Sequence, residues 1–254
     1  MSSPNLTRAL ALSGLATALA FSVVVANPAQ ANTTYRTLPE RTLANSSMNA
    51  SDVPRWMTRG MMPVAEQAFI KGARAPRPDL CLDSDGNGIS GKQPRQYMES
   101  KVTLRQNLDA FSFTEVNSNI YQYRTRAAAV RAWAHLRAAV QRCAGKIEVD
   151  VEAEDASVTA TITTKVLTTQ NLFGTPGIAL IQDVELDVEA ADLEIDISGD
   201  QYGNYRLAGA AIIRVEYAKV NGPMTGFIGR VNRKFVDTMA TVVAQRIERR
   251  STRS

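Results

Sequence analysis

Two periodicities divide the chain. Between Thr125 and Gly145 the apolar residues Ala129, Trp133, Leu136, Val140 and Cys143 recur at spacings of four, three, four and three, which puts them on one face of a helix. Thr125 offers a side-chain oxygen to cap its start and Gly145 a stop at its end. Upstream, Phe111 to Tyr123 mixes aromatic, β-branched and polar residues and reads as a strand, with an irregularity expected near Asn117-Ser118-Asn119. Downstream the period drops to two. Ile147, Val149 and Val151 alternate with Glu148, Asp150 and Glu152; Val184, Leu186 and Val188 with Glu185, Asp187 and Glu189; Leu193, Ile195 and Ile197 with Glu194 and Asp196. Each run has one face for the core and one for water.

The break at Ala190-Ala191-Asp192 predicts a hairpin between the last two runs. Further strands are expected from Ser157 to Thr169 and from Arg206 to Val220, the latter after a turn at Asp200-Gln201-Tyr202-Gly203-Asn204. A final helix from Phe227 to Glu248 turns Ile228, Val231, Phe235, Met239, Val242 and Val243 inward. The sum is an α+β fold: an antiparallel β-sheet with helices packed on one face, closed by a C-terminal helix.

The ends of the chain read differently. Arg8 precedes an apolar stretch from Ala9 to Ala26, followed by Ala29-Gln30-Ala31, the order of a secretory signal over residues 1–31. A retained anchor is the competing reading, but Ser13, Gly14, Thr17 and Ser22 dilute the stretch. Residues 32–51, rich in Thr, Ser and Asn, suit a flexible leader; residues 52–250 form the domain and 251–254 a basic tail. The expected location is secreted and extracellular, with attachment to the cell wall left open, and no membrane span remains after cleavage. In an oxidising compartment Cys81 and Cys143, the two cysteines of the chain, are expected to form a disulfide.

The net charge of +4 hides an uneven distribution, since Glu148 to Asp200 holds thirteen Asp and Glu against the single basic residue Lys165. A nucleic-acid binder would carry one coherent basic footprint without such an acidic block beside it, so no nucleic-acid partner is expected.

Little catalytic chemistry is visible. Asp83-Ser84-Asp85-Gly86-Asn87-Gly88 matches the first half of a calcium loop, yet the twelfth position is Pro94 in place of a bidentate Glu. Asp83, Asp85 and Asn87 therefore form a weak calcium candidate beside the plainer reading of an Asp- and Gly-rich turn, and no other cofactor is expected. His135, the single histidine, falls with Arg131 and Arg142 on the helix side opposite Trp133, which argues for a solvated face rather than a catalytic base. The many carboxylates sit at alternate strand positions instead of facing one another across a cleft as glycoside hydrolysis requires.

The stretch YQYRTRAAAVRAWAHLRAAVQRCAG from Tyr121 to Gly145, together with Asp52 and Pro54, Cys81-Leu82, and AAIIRVEYAKVNG from Ala210 to Gly222, resembles the PknH-like extracellular sensor domain of actinobacteria. The resemblance covers roughly Asp52 to Arg249. It implies a sheet with helices and a concave cleft for an unidentified ligand. The chain departs from that pattern in having no kinase domain, no lipid-modifiable Cys, and no Cys after Cys143 for the family's usual second disulfide. The resulting expectation is a secreted, non-enzymatic, sensor-like domain whose partner is an unknown small ligand or a cell-wall component. The alternative is a cell-envelope interaction protein that holds anionic wall polymers through basic surfaces.

Overall fold

The computed structural model describes residues 35–55, 57, 63–105, 113–153, 156–169, 177–190, 193–221 and 232–252. The expected signal segment 1–31, and Ile228 and Val231 of the expected last helix, lie outside them.

An eight-stranded antiparallel sheet dominates. Its strands are β1 (Pro63–Lys71), β4 (Gln96–Arg105), β5 (Phe113–Gln122), β6 (Lys146–Ala153), β7 (Ala156–Thr169), β8 (Gly177–Ala190), β9 (Leu193–Ala208) and β10 (Ala211–Asn221), in the spatial order β1-β4-β5-β10-β9-β8-β7-β6. A separate hairpin pairs β2 (Asp79–Leu82) with β3 (Gly88–Ser90). Three helices complete the described fold: α1 (Glu40–Ala44), α2 (Arg126–Ala139) and α3 (Arg233–Thr252). The α+β class and the closing helix are as the sequence predicts.

The two long helices, however, divide between the two faces of the sheet. On the first face α3 buries Phe235, Val236, Met239, Val243 and Ile247 with Met98, Val116, Ile120, Ile213, Val215 and Tyr217. On the second, α2 and the turn that follows it bury Trp133, Leu136 and Val140 with Tyr97, Tyr121, Ile178, Leu180, Tyr205 and Ile212. Because strand side chains alternate, β10 sends Ile213 to one core and Ile212 to the other. One-sided packing would have left one of these two apolar rows in water.

Three boundaries also differ from expectation. The strand β5 pairs without a register break through Asn117-Ser118-Asn119. Residues 200–204 are strand rather than turn: β9 runs through them, and the reversal falls at Gly209-Ala210, inside the expected final strand. Gly209 has φ +54°, and a Cβ there would stand 3.0 Å from Ser251 Oγ, so glycine suits this position on two counts. Of the expected basic tail 251–254, Ser251 and Thr252 belong to the end of α3, with Ser251 buried, and residues 253–254 lie outside the described ones.

The described part of the expected flexible leader, residues 35–51, is instead part of the core. Leu38, Leu43, Met48 and Val53 are buried against the α3 face. Buried polar groups fasten this strap at both ends. The Leu38 N–H donates to Gln122 Oε1 (3.1 Å), and Gln96 Nε2 donates to Leu38 O and to Gln122 Oε1 (2.6 Å each). From α3, Arg246 donates to both Asp52 oxygens (2.7 and 2.9 Å) and to Ser47 O (3.1 Å), and Arg250 donates to Thr42 O (3.1 Å) and Ser46 Oγ (2.7 Å). The polar composition of the strap thus supplies partners for helix cations, not solubility for a loose linker.

The Cys81–Cys143 disulfide is present, with a Cα separation of 5.6 Å, and ties the β2–β3 hairpin to the end of α2. Thr125 caps α2 through its side chain, which accepts the Ala128 N–H, and the helix tightens into a 3₁₀ turn over Val140–Arg142 before Gly145.

Burial alone would raise the Asp52 carboxyl, but hydrogen bonds from Arg246 and the Asn49 N–H outweigh it and hold the pKa below the ordinary value. Asp52→Asn is expected to cost about 2 kcal/mol at neutral pH, the scale of hydrogen bonds to charged groups. A folded pKa below the unfolded one stabilises above roughly pH 4, and that stability is lost as pH falls through the folded pKa. Denaturant unfolding of both proteins should therefore show a gap at pH 7 that closes in acid.

Trp133→Ala is expected to cost about 3–5 kcal/mol because the indole is buried. His135→Ala, on the exposed side of α2, is expected to leave the unfolding midpoint in place. A stable Trp133 variant beside a destabilised His135 variant would reverse this assignment of helix faces.

Candidate functional site

The second face of the sheet changes character along the strands. Next to α2 it is a closed core. One row further, polar residues cross β4, β5, β10 and β9 in register: Glu99, Asn119, Arg214 and Tyr205 lie opposite one another, followed by Lys101, Asn117, Glu216 and Gly203. Arg214 and Glu216, two apart on β10, share this face and form an ion pair that is nearly buried. Lys101 Nζ reaches Glu115 Oε2 at 2.5 Å. Asn117 Nδ2 donates to Glu115 Oε1 at 2.7 Å, and the Tyr97 hydroxyl donates to Asn119 Oδ1 at 2.8 Å.

Aromatic rings line the α2 side of this belt. Tyr97 and Tyr121 stack with centroids 5.2 Å apart, and the Arg214 guanidinium lies 5.4 Å from the Tyr205 ring centroid. The Tyr205 hydroxyl donates to Asp79 O on the hairpin. Burial pushes the Tyr121 phenol up to about 12 and raises those of Tyr97 and Tyr205 further, so all three are neutral hydrogen-bonding groups at physiological pH. Burial works against the Arg214 cation, but Tyr205, Tyr121 and Asp79 hold its pKa above the ordinary arginine value.

Gly203, itself buried, places no side chain over the belt. A Cβ there would stand 3.4 Å from Arg214 Nε and 3.9 Å from Glu216 Oε2, so a larger side chain would lie over the ion pair. Arg214 Nε and Asn117 Oδ1 are buried with no hydrogen-bond partner among the described residues. The sequence reading missed this belt. Its trace is visible in AAIIRVEYAKV, where Arg214 and Glu216 interrupt one face of an otherwise apolar strand.

The residues singled out from sequence lie elsewhere. Asp83 uses its Oδ1 to accept the backbone N–H groups of Asp85 (3.0 Å) and Asn87 (2.9 Å), closing the β2–β3 turn, while Asp85 and Asn87 are exposed. Among the described residues no three His, Cys, Asp or Glu side chains gather as a metal site. His135 points to water on α2.

The acidic block maps to the far end of the sheet. On the α3 side of that end, register places Glu148 and Asp150 beside Thr161 and Thr159, these beside Glu185 and Asp187, and those beside Ser198 and Asp196. Threonines therefore separate two of the acidic strands, and Thr159 Oγ1 donates to Asp150 Oδ1 at 2.9 Å. Asp183 faces Asp200 directly, as Asp187 faces Asp196 and Glu189 faces Glu194. Among the described residues, lysines meet this block at Glu148 and at Asp200. Lys146 Nζ reaches Glu148 Oε1 at 2.8 Å, and Lys219 stands opposite Asp200, its pKa lowered by burial and raised by that carboxylate.

No family model matches this chain, and no curated protein matches it either. The disulfide is compatible with a secreted protein, and among the described residues no helix is long and apolar enough to cross a membrane.

Direct cross-strand like charges repel unless they are screened. Thermal melts are therefore expected to show a midpoint that rises with modest NaCl at low starting ionic strength. Calcium at matched ionic strength is expected to raise it further only if it binds Asp83 or the acidic strands specifically. Equal midpoints in all three conditions would mean that Lys146 and Lys219 neutralise the face sufficiently in the native fold.

Proposed function

We propose that this chain is a non-enzymatic binding domain of the secreted, sensor-like kind, with its ligand on the α2-bearing face at the Arg214–Glu216 belt. One observation carries the reading: a charged pair lies in the central strand of the sheet beneath a glycine, although an apolar pair would serve packing better. Taking two ions out of water costs several kcal/mol each, and replacing buried pairs by apolar residues is often neutral or stabilising. A pair kept at such a place, with no side chain over it at Gly203 and with Arg214 Nε unpartnered, suits recognition of a hydrogen-bonding ligand. The resemblance to PknH-like sensor domains points the same way.

A second reading rests on the separation of charge. Residues 71–98 and 122–145, around α2 and the hairpin, hold ten Lys and Arg against three Asp, and Lys92, Arg95, Arg124, Arg131, Arg137 and Arg142 are exposed. That end suits an anionic wall polymer, whose binding would weaken steeply with salt.

The two readings part in one experiment. Arg214→Met alone is expected to cost about 3–5 kcal/mol by stranding Glu216, and the double change Arg214→Met with Glu216→Leu to regain most of it. Native mass spectrometry of the protein from its own culture fluid should show a small molecule that is lost from the folded double variant. A species retained by that variant, or none on either protein, would overturn the belt as the site.

A further inference from the structure

Beyond the belt the same face becomes apolar and opens into a groove of about 160 Å³. Val184, Leu186, Ile197, Ala218 and Val220 line it, and these side chains are partly exposed where described. From belt to groove the path follows three successive rows, Glu216–Gly203, Ala218–Gln201 and Val220–Gly199, so the groove begins roughly 7 Å from the ion pair along the strands and extends to roughly 13 Å. Gly199 thins the wall where a Cβ would stand 3.3 Å from Lys219 O. An apolar cavity of about 150 Å³ is large enough to hold a benzene-sized group.

Resting on the belt as the binding site, we infer that its ligand is an uncharged, hydroxyl-rich amphiphile with its headgroup on the Arg214–Glu216 belt and its hydrocarbon end in the groove. The headgroup is uncharged because the belt's cations are committed, Arg214 to Glu216 and Lys101 to Glu115. An anionic head would have to displace a carboxylate already in place. Hydroxyls can instead both donate and accept, as the partly exposed amides of Asn117 and Gln201 require. The tail is hydrocarbon because the side chains that register places on this face of the groove beyond Gln201 are aliphatic on three adjacent strands, Val184 and Leu186 on β8, Ile197 on β9, and Ala218 and Val220 on β10. A second copy docking by this face would bury the groove but leave the contiguous belt unused, so the amphiphile accounts for both.

Titration calorimetry with maltose and with hexyl, octyl and decyl maltoside below their micellar concentrations tests this, with decyl sulfate as the charged-head control. Affinity is expected to rise by up to about fourfold per added methylene until the groove is filled. Maltose and decyl sulfate should bind far more weakly than decyl maltoside. Leu186→Asn, a change at a partly exposed position, should flatten the dependence on chain length. Equal affinities for maltose and all three chains would overturn the amphiphile while leaving the belt as the site. Chain-dependent binding unaltered by the double change at Arg214 and Glu216 would overturn the belt, and this inference with it. Failure of every probe, or a ligand-free dimer that dissociates on Leu186→Asn, would also overturn it.

Discussion

Everything in this fold is arranged around a strand that is covered on both sides. The strand β10 lies between β5 and β9, with α3 over one face and α2 over part of the other. Over residues 211–217 such a strand has almost no solvated side on which to place polar residues, yet it carries Arg214 and Glu216 there and Lys219 just beyond. Each must find a partner within the sheet, and the neighbours are chosen accordingly. Glycine stands beside Glu216, tyrosine and asparagine flank Arg214, and Asp200 faces Lys219. Packing supplies the rigidity that keeps these groups in register, so the polar belt is held by the same alternation that builds the two cores.

The long strands β7, β8 and β9 extend beyond both helices, and the sheet there must satisfy itself. Its two sides do so in different ways. One carries carboxylates interleaved with threonine, a surface well hydrated and poorly suited to stacking against a like surface. The other presents aliphatic side chains only partly covered. A one-residue slip in register would exchange these sides and bring carboxylates onto the groove, so the alternation of Glu and Asp with Val, Leu and Ile also fixes the pairing.

Much of this was legible from the residues. The spacing of Ala129, Trp133, Leu136 and Val140 identified the face of α2, and period two identified β6, β8 and the start of β9. The failures have physical causes. Asp200-Gln201-Tyr202-Gly203-Asn204 has the composition of a turn, but Gly203 is there for the side chains beside it rather than for a reversal. The strap was hidden because Leu38, Leu43, Met48 and Val53 recur every five residues, a period that belongs to neither helix nor strand. The sharing of helices between the faces was hidden because Arg214 and Glu216, two apart on β10, give that strand the look of one apolar and one polar side although Ile212 and Ile213 enter opposite cores. The candidate site was legible only in part: the sequence draws attention to charged, exposed residues, whereas the belt is formed by ions brought together from within the core.

The attachment of the strap to α3 has a bearing on how the chain comes to be folded at all. Arg246 and Asp52 are 194 residues apart, and Arg250 and Thr42 are 208 apart. Contacts of such separation are slow to form, because the loop between them must be closed before they contribute anything. A chain made from its amino end therefore offers Leu38, Leu43 and Met48 no seat until its last helix has emerged. Until then the first core face stays incomplete and the polypeptide remains pliable. Closure then comes as a late event, when one end of the polymer locks the other in place.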